Sequence, residues 1–266
     1  MRKQITDLQD MKNRGEKITM VTCYDSTFAQ LVEKTEIDSI LVGDSMGNTM
    51  LGYDTTLPVT VDDIIRSAAA VVRRNARQFI VADMPWGSYH VSKKLAVQNA
   101  VKIVQETGVN AVKLEGATPL VLQAIEAIVD AQIPVVAHLG LTPQSVNAFG
   151  GFKVQARDDQ AKDELLNNSN YVQRAGASML VLEGVPLDIA KTVSQELDIP
   201  VIGIGAGNGT DGQVLVLQDM LGMNEGVPKF VKKYANLNQT IVEAFNKYNQ
   251  EVKSGEFPTD QYSFHA

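Results

Sequence analysis

The chain has a single cysteine, Cys23, in 266 residues. No intrachain disulfide framework is possible, and a reducing cytoplasm is the expected setting. No apolar run approaches the ~18 residues that a membrane-spanning helix needs. The opening residues 1–7 carry Arg2 and Lys3 but no apolar stretch, so they do not read as a secretory leader. Positive charge is scarce: 24 Lys+Arg against 31 Asp+Glu give a net charge of −7. That disfavours nucleic acid or an anionic membrane as partner, because affinity for either rests on a basic face. The pattern G-x-x-x-x-G-K-[ST] is absent, which argues against a P-loop nucleotide hydrolase. Gly207-Asn208-Gly209-Thr210-Asp211-Gly212 does match G-x-G-x-x-G. It lies late in the chain, however, and the stretch about 20 residues on offers no acid for a ribose.

What remains is ordinary for a folded enzyme-sized globule, with 44% hydrophobic and 21% charged residues. No linker or low-complexity stretch divides it, so residues 1–266 read as one domain. Short apolar runs rich in Val and Ile recur at Ile18–Cys23, Ser39–Val42, Phe79–Ala82, Ala111–Leu114, Val135–Ala137, Met179–Leu182, Val201–Ile204 and Val214–Leu217. Consecutive apolar positions suit parallel strands buried on both faces. Between them lie helical patterns. Val121, Ala124, Ile125 and Ile128 share one helix face, entered through Thr118 as N-cap and Pro119 at N1. Gly108 and Gly176 stand at helix C-caps. Eight such units predict a (β/α)₈ barrel, with a doubly wound open sheet as the alternative. Residues 6–13 are expected to form a helix closing the barrel bottom, residues 236–252 a final helix, and 257–266 a peripheral arm.

A barrel carries its function at the carboxyl ends of its strands. Those ends hold Asp44-Ser45, Asp83, Lys113 with Glu115, His138, Glu183, and the small-residue run Gly203–Gly207. Each alone has a plain structural explanation, as a helix cap, a turn or a buried ion pair. Together, Asp44, Asp83 and Glu115 put three carboxylates on adjacent strands. Two carboxylates ~4 Å apart repel by ~4 kcal/mol at an effective dielectric of ~20, so the cluster calls for a cation or a proton. All-oxygen ligands suit a hard metal, Mg²⁺ by default. Lys113 and Glu115 alternate on one strand and so share a face. Lys113 there would bind a substrate anion, and His138 would donate to a substrate oxygen. Glu183 follows an apolar run that should desolvate it, which suits a general base. It lies four strands from Asp44, across the mouth.

These segments resemble the ketopantoate hydroxymethyltransferase family. The likeness is carried by Val42–Gly47, Leu51–Thr60, Ala82–Tyr89, Val112–Gly116, His138–Gln144, Leu182-Glu183 and Ile202–Gly207 with Asp211–Gln213. Met84, Trp86, Ala156 and Gln218 depart from the usual family residues, outside the ionisable set. The resemblance implies a barrel of the phosphoenolpyruvate-mutase/isocitrate-lyase type and a homodecamer. It implies an Mg²⁺-dependent enzyme of pantothenate synthesis that moves a one-carbon unit from 5,10-methylenetetrahydrofolate to 3-methyl-2-oxobutanoate, giving 2-dehydropantoate. By the family pattern, Asp44, Asp83 and Glu115 surround the metal. Because Mg²⁺ usually takes only one or two carboxylates directly, Asp44 and Asp83 are the expected direct ligands, and contact of Glu115 either directly or through water stays open. Asp44, Ser45, Asp83 and Lys113 contact the keto acid, and Glu183 is the proton acceptor. Two other readings stay open: a Mg²⁺-dependent 2-keto acid lyase or decarboxylase on the same barrel, and a non-catalytic ligand-binding barrel. Related lyases use a catalytic Cys loop after the fourth strand; residues 116–132 contain none.

Overall fold

The structure, a computed structural model, describes residues 2–265. In chain order the elements are α1 (Ile5–Asn13), β1 (Ile18–Thr22), α2 (Ser26–Glu33), β2 (Ser39–Val42), α3 (Met46–Thr49), α4 (Val61–Arg73), β3 (Phe79–Asp83), α5 (Lys93–Thr107), β4 (Ala111–Glu115), α6 (Pro119–Asp130), β5 (Val135–Gly140), α7 (Val146–Phe149), α8 (Asp159–Arg174), β6 (Met179–Glu183), α9 (Leu187–Glu196), β7 (Val201–Ile204), β8 (Gly212–Leu215), α10 (Leu217–Met220) and α11 (Leu237–Ser254). Contacts group the chain into a unit ending at Val216 and another beginning at Leu217.

In the first unit every strand pairs in parallel with its successor, and β8 pairs back onto β1 through Ile18–Gly212 and Met20–Val214. The sheet is therefore a closed barrel, and the open-sheet alternative falls. Its interior is one apolar cluster drawn from every strand: Ile18 and Met20, Leu41, Phe79 and Val81, Ala111, Val136, Met179 and Val181, Ile202, Val214. Leu8 of α1 joins that cluster, fully buried. The helix expected over 6–13 thus packs against the barrel interior, as a bottom plug should. Inward residues recur with period two, as strand pleating requires.

Local signals account for the helices between the strands. In α6, the Thr118 hydroxyl accepts from the Val121 N–H, Pro119 occupies the first turn, and the buried face is Val121, Ala124, Ile125 and Ile128. Helix α5 ends on Gly108 at φ +75°, a left-handed C-cap. β1 ends at Thr22, one residue short of the expected Cys23, whereas four other strands run past their expected ends. β3, β4 and β6 each run one residue further, to Asp83, Glu115 and Glu183, and β5 runs on to Gly140. Side-chain polarity does not end a ladder when the charge finds partners. β8 begins at Gly212, two residues early, and Leu217 opens α10. The Gly207–Gly212 motif connects β7 to β8 and opens no helix, so it lacks the helix N-terminus that receives a pyrophosphate. Its Asp211 pairs with Lys12 at 2.7 Å and accepts from the Val201 N–H at 2.8 Å.

In the second unit, α11 starts one residue after the expected Asn236. The arm that follows is held by aromatic contacts, with Phe257 5.8 Å from Tyr248 and 5.6 Å from Tyr262 between ring centroids. Ala266, the last residue of that expected arm, lies outside the described residues. Among the described residues, no helix is long and apolar enough to cross a membrane.

Cys23 lies just after β1, fully buried. Burial pushes its thiol up to about 11. At pH 8 only about one thiol in a thousand is then the reactive thiolate. Ellman's reagent should leave the native protein essentially unlabelled over minutes and titrate one thiol per chain in denaturant.

Candidate active site

Above the apolar interior the same inward positions turn polar. The period of two that puts Phe79 and Val81 inside puts Asp83 inside, and Ala111 is followed inward by Lys113 and Glu115. Val136 leads to His138, and Met179 and Val181 lead to Glu183. Asp44 and Ser45 follow β2 after one residue, Gly43. Asp44, Asp83, Lys113, Glu115 and His138 are all at most 4% exposed. Charges buried this deeply persist only when paired.

They are paired in a chain. Lys113 Nζ lies 3.1 Å from Asp83 Oδ1 and 3.5 Å from Glu115 Oε1. His138 Nδ1 is 3.2 Å from Glu115 Oε1, and its Nε2 is 3.3 Å from Glu183 Oε2. Asp83 Oδ2 accepts from the Asp44 N–H at 2.9 Å. Sequence reasoning brought these residues to one mouth correctly, but it did not foresee that His138 bridges Glu115 and Glu183. The approach of Nε2 to Glu183 lacks hydrogen-bond alignment, so the contact is one of charge at 3.3 Å. Glu183 keeps 17% side-chain exposure; it is less desolvated than its apolar strand suggested.

Electrostatics divide the carboxylates. Burial, with the neighbouring Asp83 and Glu115 charges, holds the Asp44 carboxyl well above the usual range. Burial also raises Asp83, against the pull of Lys113. Burial opposes charge on Glu115 too, but His138 and Lys113 together hold it below the usual carboxylate range. His138 is pushed up to about 9: burial and Lys113 oppose its charge, and Glu115 and Glu183 outweigh them. Glu115 is therefore a committed anion between two cations, whereas Asp44 and Asp83 form an acid pair short of positive charge.

That asymmetry bears on a metal. Among the described residues, no three His, Cys, Asp or Glu side chains converge on one point. Glu115 has both oxygens engaged, Oε1 by His138 and Lys113 and Oε2 by the Gln144 N–H at 2.9 Å. Asp83 Oδ1 is buried, and its Lys113 neighbour is not aligned as a hydrogen-bond donor. An oxygen of that kind beside Asp44, whose carboxyl burial and like charges keep from ionising readily, fits a hard cation with few protein ligands.

Three side chains outside the expected set complete the site. Tyr24, just after β1, meets the Ser45 hydroxyl at 2.8 Å. Gln144 donates to Asp44 Oδ2 at 2.8 Å, and Tyr89 donates to Gln144 Oε1 at 2.6 Å. Both Tyr89 and Gln144 fall inside motifs of the sequence resemblance, and the length of those motifs was the available signal. Gly140 fits β5 against β6 here: its φ is +86°, and a Cβ would stand 2.2 Å from the Glu183 carbonyl oxygen. The mouth holds a cavity of about 100 Å³ lined by Asp44, Ser45, Lys113, His138 and Glu183, floored by apolar side chains such as Val181.

A family profile described as ketopantoate hydroxymethyltransferase matches residues 2–260. The 3-methyl-2-oxobutanoate hydroxymethyltransferase of Syntrophomonas wolfei is 51% identical over 261 residues, covering 98% of this chain and 94% of the relative. That of Geobacillus kaustophilus is 53% identical over 260 residues, covering 97% and 93%. Among solved structures, the phosphoenolpyruvate phosphomutase of Streptomyces platensis aligns with a TM-score of 0.64 at 16% identity, covering 95% of this chain and 88% of that one. A 2,3-dimethylmalate lyase, titled a member of the PEP mutase/isocitrate lyase superfamily, gives 0.62 at 14%, covering 99% and 93%. A phosphonopyruvate hydrolase in complex with oxalate and Mg²⁺ gives 0.62 at 12%, covering 99% and 93%. At such identities these structures attest the barrel type alone.

Proposed function

Because the chain belongs to the ketopantoate hydroxymethyltransferase family, and so is a transferase of hydroxymethyl groups, we propose that it takes its one-carbon unit from 5,10-methylenetetrahydrofolate and works through a Mg²⁺-assisted enolate of 3-methyl-2-oxobutanoate. The observation that carries the reading is the opposition of Glu183, on β6, to the acid pair following β2 and β3; β6 and β2 stand four strands apart in a ring of eight.

Asp44 and Asp83 would hold the Mg²⁺, with Glu115 behind them. When bound, the metal supplies a Lewis acid to the keto acid's carboxylate and carbonyl oxygens; the oxalate and Mg²⁺ in the titled hydrolase complex are a similar pairing in another protein of this barrel type. Lys113 faces the same oxygens and favours negative charge there as C3 loses its proton. Ser45, held by Tyr24, and the Nε2–H of His138 orient the acid. Glu183 takes the proton from C3. Water adds to the folate's methylene carbon, opened as an iminium, and both C–N bonds break to free tetrahydrofolate and formaldehyde. The enolate C3 then adds to that formaldehyde carbon, and the formaldehyde oxygen takes up a proton to become the new hydroxyl. The five-carbon keto acid would lie in the small cavity between the acid pair and Glu183, with the larger folate meeting it from the rim.

The test is a coupled assay of the purified protein with the keto acid, the methylene folate and Mg²⁺. We expect 2-dehydropantoate, dependent on the folate and abolished by EDTA. Cleavage of a 2-keto acid without folate would favour the lyase reading, and turnover indifferent to EDTA would contradict the metal's part.

A further inference from the structure

We infer that Gln144 is a positioning residue for the metal-holding acid pair, anchored by Tyr89; the inference rests on the reading of Asp44 and Asp83 just given. Gln144 lies in the loop after β5 and is 4% exposed, with Tyr89 fully buried. Its Nε2 donates both hydrogens, to Asp44 Oδ2 at 2.8 Å and to the Met84 carbonyl at 3.0 Å. Its Oε1 accepts from Tyr89 at 2.6 Å, and its backbone N–H donates to Glu115 Oε2 at 2.9 Å. Tyr89 in turn accepts from the Glu115 N–H at 3.0 Å. Two acceptors on one side and a hydroxyl on the other fix which end of the amide is nitrogen.

Through its side chain and its backbone N–H, Gln144 thus ties together the carboxyl ends of four strands, β2 to β5. Every polar atom of its amide is satisfied, and a fully satisfied buried network holds its members in one geometry. The chemistry of the amide matters. A lysine in that place would orient Asp44 but also neutralise it, leaving less charge for a divalent cation. A neutral amide fixes Oδ2 without adding a positive charge that would compete with the cation. The backbone N–H of the same residue holds Glu115 Oε2. Outer partners of metal-holding groups typically change affinity or activity by about 10–100-fold when removed.

The experiment is Mg²⁺ titration by calorimetry on the substrate-free protein, with steady-state kinetics alongside. Gln144→Met keeps the length and removes the hydrogen bonds; Tyr89→Phe removes only the anchor. Gln144→Met should weaken Mg²⁺ by about 10–100-fold, with kcat largely recovered at saturating Mg²⁺. Tyr89→Phe should shift affinity the same way by less, and its thermal unfolding midpoint reports whether the fold is intact. Wild-type Mg²⁺ affinity in both folded variants would overturn the inference, and so would a kcat loss that Mg²⁺ does not relieve. If Gln144→Met fails to fold, Tyr89→Phe decides alone. Asp44→Asn separates the two layers: if it binds Mg²⁺ like wild type, the reading of the acid pair fails, whereas lost binding there with unchanged binding in Gln144→Met sinks only the role of Gln144.

Discussion

Lys113→Met should lower folding stability by about 3–5 kcal/mol and sharply reduce turnover. Lys113 lies among Asp83, Glu115 and Asp44, each buried to within a few per cent. Asp83 and Glu115 lie 3.1 and 3.5 Å from its ammonium. Methionine fills much of the same volume, so the loss is electrostatic rather than a cavity. Removing one partner of a buried ion pair costs about 3–5 kcal/mol, because the charge left behind has neither water nor counter-ion. Burial already holds Asp44 and Asp83 above the usual range, and Lys113 is one of the charges opposing that rise. Urea unfolding of both proteins gives the difference. A loss under about 1 kcal/mol, the range of a surface pair, would mean that water reaches the cluster. In turnover, the variant lacks the positive charge facing the developing oxyanion, so the defect should fall on kcat more than on the KM for the keto acid.

Glu183→Gln should leave the fold intact and reduce kcat by about 10²–10⁴-fold, the range of a general base. Glutamine has the same shape and still presents an oxygen toward His138 Nε2, 3.3 Å away in the native site. Glu183 lines the cavity with 17% side-chain exposure, so the neutral amide meets little penalty. Binding of the keto acid should change little, because under the proposed mechanism its oxygens would face the acid pair on the opposite wall. The prediction is therefore a kcat effect at nearly constant KM, with an unchanged unfolding midpoint. A raised KM at normal kcat would make Glu183 a binding group instead.

How much of this was legible before any coordinates follows from the kind of signal each residue leaves. Asp83, Lys113, Glu115, His138 and Glu183 stand where period-two alternation crosses from apolar to ionisable, and strand pleating fixes their direction. Asp44 and Ser45 follow a strand directly and inherit its position. Gln144 and Tyr89 leave no periodicity. They are neutral, they sit in loops, and their partners come from far along the chain: 100 residues separate Gln144 from Asp44 and 55 separate it from Tyr89. The likeness in sequence marked their segments without giving them a task. The use of Glu115 was hidden for a related reason. Three acids on adjacent strands look alike in a sequence. Only the placing of Lys113, His138 and the Gln144 N–H makes one of them a satisfied anion and leaves the other two short of charge. The early start of β8 was hidden because Gly212 carries no side chain to continue the apolar run.

The most direct measurement is proton NMR of 3-methyl-2-oxobutanoate in D₂O, with enzyme and Mg²⁺ and no folate. The account predicts that the wild-type protein washes out the C3 methine signal, that EDTA stops it, and that Glu183→Gln leaves the signal intact over the same interval. Exchange by Glu183→Gln at the wild-type rate would contradict it.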